Sequence, residues 1–145
     1  MFNRLILTAA MLAACLPALA DSWDSNKNIE RAMGAALKTY KKTGVSGIVD
    51  GMNNCYAGLD TRQANRNVGR DVEYCVAYAL SSLVIDGEIS KAMNFPPSQY
   101  LNNVDVAVKA MFVLEQARIV TLPEQFTPYF DSRMSQIRQG LLPKL

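Results

Sequence analysis

The sequence predicts an all-α fold, a compact bundle of five or six helices with one intradomain disulfide, and three observations carry that reading. Apolar residues recur at three-four spacing along most of the chain. No run alternates long enough to argue for a strand. Cys55 and Cys75 form an even pair once the N-terminal segment is set aside.

That segment, residues 1–20, reads as a signal peptide. Met1 to Arg4 give a short basic start, Leu5 to Ala14 an apolar run, and Leu16-Pro17-Ala18-Leu19-Ala20 a small-residue cleavage site. Cleavage after Ala20 leaves residues 21–145, enough for one domain with a single core. A rival pattern is Leu12-Ala13-Ala14-Cys15, where bacterial lipoproteins are cut and lipid-modified on the cysteine. Because Leu16 to Ala20 continues signal-like sequence after Cys15, a soluble periplasmic product is favoured over one lipid-anchored at Cys15.

The first helix is expected over Asn28 to Lys42, with Ile29, Met33, Ala36, Leu37 and Tyr40 on one face. Gly44 is its natural stop, and Lys41-Lys42 suit a helix C-terminus. A second helix is expected from Ser46 to Gly58, burying Val45, Ile48, Val49, Met52, Cys55 and Leu59, while Gly47 and Gly51 leave a flat strip open to close approach.

Asp60 can cap a third, longer helix that runs to Ile85 on Val68, Val72, Cys75, Val76, Ala79, Leu80, Leu83 and Val84, with Asp86-Gly87 ending it. Glu88 to Asn94 adds one turn before Pro96-Pro97, which set up an extended corner and an ordered loop. Asn103 to Val120 is helical in pattern through Val104, Ala107, Val108, Met111, Leu114, Ala117 and Arg118. Thr121-Leu122-Pro123-Glu124 has capping-box spacing, and Thr127-Pro128 offers a second start for a last helix ending near Gln139, on Phe126, Phe130, Met134 and Ile137.

A disulfide between Cys55 and Cys75 would tie the second helix to the third as an antiparallel hairpin. It closes a loop of about 20 residues, which stabilises by roughly 3 kcal/mol on the chain-entropy account. A redox pair would sit closer in sequence, and a zinc site would need two further ligands, so the bridge reads as structural.

Charge is nearly balanced, with 15 Lys and Arg against 13 Asp and Glu, and implies neither a nucleic acid nor an anionic membrane as partner. The longest apolar run beyond the signal, Tyr74 to Ile85, contains two serines and falls short of the ~20 residues a span requires. No transmembrane segment is therefore expected in the mature chain.

Histidine is absent, which removes the commonest general base and metal ligand and every Ser-His or Cys-His nucleophile system. S-x-x-K, G-x-S-x-G and the glycine-rich phosphate loops are missing too. Asp24-Ser25-Asn26-Lys27-Asn28 opens like a calcium-binding loop, but Ile29 stands where glycine is needed and Ala35 where glutamate is needed, so a helix cap is expected. The sequence thus points away from an enzyme and toward no cofactor and no metal. A hydrolase using only carboxylates is the one catalytic class left open, with Asp50 as the aspartate to watch.

Arg62, Arg66 and Arg70 recur every fourth residue and would stack along one face of the third helix, beside Tyr56, Tyr74 and Tyr78. A solvated face with local ion pairs is the plain reading, and a docking site for an acidic protein surface the sharper one. Small size, export and a rigid disulfide-bonded scaffold then suggest a protein-binding module of the bacterial envelope, such as a periplasmic inhibitor or immunity protein against a toxin or wall hydrolase. The alternatives are an accessory or assembly factor of a secretion, conjugation or pilus machine, and a periplasmic chaperone.

Overall fold

The computed structural model describes residues 23–59 and 66–145. Residues 1–20, expected to be a signal peptide, lie with Cys15 outside the described residues, as does Asp60, the expected cap of the third helix. Among them the chain forms four α-helices and no strand: α1 (Ser25–Ala57), α2 (Arg66–Met93), α3 (Asn103–Gln116) and α4 (Pro123–Leu141), closed by a 3-10 turn over Leu142–Lys144. The all-α expectation stands, and the count of five or six helices is corrected to four.

Particular residues account for what held and what changed. Asp24 caps α1 by accepting from the Lys27 amide at 3.1 Å, so the opening that resembled a calcium loop serves as a helix cap. Gly44 adopts φ 71° and ψ −159°, a conformation only glycine takes readily, but the helix resumes at once and the two expected helices become one kinked element. The Ser46 hydroxyl donates to the Thr43 carbonyl at 3.3 Å within the kink.

Asp86-Gly87 does not stop α2. The Asp86 carboxylate instead accepts from the Ser98 amide at 2.8 Å, and the helix continues to Met93. There Asn94, at φ 55°, terminates it through bonds from Phe95 N to Ser90 O at 2.9 Å and from Asn94 N to Lys91 O at 3.3 Å. Arg118, at φ 56°, ends α3 the same way, before the expected Val120. At α4 the side chain of Gln125, rather than Glu124, accepts from the Thr121 and Leu122 amides at 3.1 and 3.2 Å, and Pro123 and Pro128 belong to the same helix.

α2 is the axis of the bundle, packing against α1, α3 and α4. Val72, Val76, Ala79, Leu80, Ile85 and their neighbours bury almost its whole circumference, as expected of a helix apolar on all sides. Two buried serines on it, Ser81 and Ser82, are satisfied by donating to the carbonyls four residues back at 2.7 and 2.9 Å. Ile29 and Ile48 of α1, Leu114 of α3, and Ile137 and Leu141 of α4 complete the core.

Cys55 and Cys75 join α1 to α2 with their Cα atoms 5.5 Å apart, as the sequence implied. Gly51 lets the Tyr78 side chain of α2 lie close against α1, since a Cβ there would collide with the Tyr78 hydroxyl. The expected glycine strip is therefore filled by a side chain of the same molecule at Gly51, and a Cβ at Gly47 would meet Thr43 of its own helix. Among the described residues no helix is long and apolar enough to cross a membrane.

Candidate functional site

Of the arginine and tyrosine side chains singled out from sequence, those of Arg70, Tyr56, Tyr74 and Tyr78 are described. Arg62 lies outside the described residues and Arg66 opens α2. Arg70 is exposed and turns to its neighbour, with Nε and an end nitrogen each 3.1 Å from the Asp71 carboxylate. Tyr78 is buried, Tyr56 and Tyr74 are half-buried, and the hydroxyls of Tyr56 and Tyr78 have no hydrogen-bond partner among the described residues. Tyr74 carries the guanidinium of Arg31 over its ring at 5.8 Å. Asp50 is exposed on α1.

Burial pushes the Tyr56 phenol well above its ordinary value, with Tyr129 adding to the shift. Burial raises Tyr129 likewise, Glu73 reinforcing and Arg133 opposing. A phenol held neutral by the fold contributes stability that is fully present below its unfolded value near 10 and is lost as pH climbs above it. We expect unfolding free energy to fall as pH rises past about 10. Tyr56→Phe should reduce that fall without weakening the protein at neutral pH, since the hydroxyl removed has no partner among the described residues. Denaturant titrations at neutral and alkaline pH check both points, and an identical alkaline loss in the variant would refute the assignment.

A second feature escaped the sequence. Glu73, 3% exposed, lies at the junction of α1, α2 and α4. Its Oε2 accepts from the Trp23 indole and from Asn28 Nδ2 at 3.1 Å, and its Oε1 from the Ser25 hydroxyl and from Arg133 at 3.2 Å. Asn28 also donates to the Arg70 carbonyl at 2.8 Å, and Arg133 lies 5.2 Å from the centre of the Tyr129 ring. A carboxylate has about four acceptor positions, and here four donors occupy them. The cluster therefore holds three helices together and leaves Glu73 no free lone pair with which to act as a base. Among the described residues, no three or more His, Cys, Asp or Glu side chains gather where they could hold a metal.

An exposed apolar patch follows the corner between α2 and α3. Phe95 is 63% exposed and Met93 58%. They border a groove of about 350 Å³ with Tyr40, Gly44, Val45, Ile89 and Pro96, so the α1 kink forms one wall and the end of α2 the other. The loop beside it is pinned at one end by the bonds around Asn94 and further along by Asp86 holding Ser98 N. Pro96-Pro97 stiffen the stretch between. A large aromatic is thus presented to solvent on a backbone that has little freedom to bury it.

On the other side of the same loop, α3 turns a second apolar face outward. Compared with known protein families, with curated proteins and with solved structures, the chain matches none. Fold and surface together define a disulfide-stapled helical domain whose most distinctive exposed chemistry is apolar and aromatic.

Proposed function

We propose that this chain is an exported, non-enzymatic protein-binding module of the bacterial envelope, of the kind that restrains a toxin or a wall hydrolase in the periplasm, and that it binds through the Phe95 groove. The observation that supports this reading is the exposure of Phe95 and Met93 on a loop fixed by hydrogen bonds and prolines. Aromatic side chains presented in place lose little conformational entropy on binding, and they supply the few contacts that dominate interface energetics. Asp86, buried behind the loop, acts here by holding Ser98 N and so shapes the groove without entering it.

The test is capture from envelope extracts with the oxidised protein and, in parallel, with Phe95→Ala, followed by mass spectrometry. A stoichiometric partner is expected on the unsubstituted protein. On the variant its affinity should fall by about 30-fold or more, the loss typical of removing a central aromatic anchor. Equal retention on both would show that the groove is not the binding surface.

A further inference from the structure

α3 is apolar on two opposite sides. Val106, Ala110, Val113 and Leu114 face α2 and are buried, whereas Val104 (66% exposed), Val108 (60%), Met111 (38%) and Phe112 (60%) face out. At 100° per residue the outward four fall within an arc of about 100°, the width of a normal core-facing stripe, and exposed Glu115 falls in the same arc one turn beyond Met111. Tyr100, 69% exposed, shares a groove with Val108 and Lys109 and extends the stripe beyond the N-terminus of the helix. Val104, Val108 and Met111 keep the four-three spacing with which two helices interlock.

We propose that this face is covered by a second copy of the chain, the two α3 helices packing antiparallel about a two-fold axis near Val108. Charge selects this occupant. Asp105 and Lys109 lie on one flank of the stripe, and in a two-fold antiparallel pair the same flanks of the two helices face each other. With the axis at Val108, Asp105 of one copy falls about 3 Å along the helix from Lys109 of the other, so two symmetric ion pairs form at the rim; the two Lys109 are equally near along the helix but, lying farther round from the stripe, are more widely separated across it. No ion pair among the described residues engages either of them within the chain.

The same register places Val104 against Phe112 of the other copy, twice over. It also brings Glu115 level with the N-terminal end of the other α3, where an acidic side chain meets the positive end of the helix dipole. Register and the two Asp105–Lys109 pairs thus suit a second copy on this face. The face is separate from the Phe95 groove, so a dimer would leave that groove available.

Sedimentation equilibrium of the oxidised protein should show a monomer–dimer equilibrium. Val108→Asp should abolish the dimer while the helical circular dichroism stays unchanged. Asp105→Lys should weaken it by about tenfold, and adding Lys109→Asp should restore it, because exchanging the two signs preserves the pairing. Geometry is read with a short thiol cross-linker: Val108→Cys, on the axis, should link to itself, while Val104→Cys, about 12 Å away from its own symmetry mate along the helix, should link only to Phe112→Cys in a mixture. A monomer at every concentration up to about 100 μM, where so weak a pairing has little meaning, would overturn the proposal. So would Val104→Cys linking to itself as readily as Val108→Cys.

Discussion

Replacing Glu73 with alanine is expected to cost about 3 to 5 kcal/mol of unfolding free energy, among the largest effects of any single substitution in this chain. The carboxylate is buried and, among the described residues, is the sole ion-pair partner of Arg133, so its removal leaves a guanidinium largely out of water with no opposite charge. Trp23 and Ser25 lose their acceptor in the same step, and Asn28 loses one of its two. Chemical denaturation measures the loss. The sole tryptophan of the chain reports it directly, because the Trp23 indole donates to Glu73 and its ring packs where a Cβ on Gly69 would stand 2.8 Å away. Glu73→Leu combined with Arg133→Met should recover part of the stability, since replacing both ions with apolar groups removes the unpaired charge. A single variant within about 1 kcal/mol of the parent would mean that the cluster is not holding the helices together.

The disulfide carries the second large effect. Cys55→Ala with Cys75→Ala, or reduction of the native protein, should lower stability by about 3 kcal/mol, the value set by a loop of 20 residues. The bridge lies where α1 and α2 pack on each other, so helical content should persist at neutral pH while the denaturation midpoint falls. Coincident midpoints with and without reductant would show that packing alone fixes the hairpin.

Much of the fold was legible because its signals are local. The three-four spacing of Ile29, Met33, Ala36 and Leu37 names a buried face without reference to any other helix, and all four are buried. The pairing of Cys55 with Cys75 is a matter of arithmetic. Gly44 marked a backbone break correctly, but a break is compatible with a stop or a kink, and the helical stretch from Val45 onward, packed on α2, makes it a kink. Asp86-Gly87 looked like a helix end because aspartate favours caps. The carboxylate does serve as a cap-like acceptor, for the amide of Ser98 twelve residues away, and such a distant partner leaves no local mark.

The candidate site was less legible for the same reason. Tyr78 reads as a surface tyrosine until Gly51 is known to face it. Glu73 carries no local mark of burial, because Trp23, Asn28 and Arg133 reach it from segments far away in sequence. Val104, Val108 and Met111 have the pattern of core residues, and periodicity cannot distinguish a face covered by the chain itself from one left open. The Pro96-Pro97 corner was visible as an ordered loop. That it carries an exposed Phe95 against the α1 kink depended on tertiary structure.

The measurement that tests the protein-binding reading most directly is amide hydrogen exchange of the oxidised protein, alone and saturated with its captured partner. The proposed groove predicts new protection at residues 40–45 and 89–98, where the α1 kink, the end of α2 and the Phe95 loop meet, with the Glu73 junction unchanged. Protection confined to other surfaces, or none at all on binding, would contradict it.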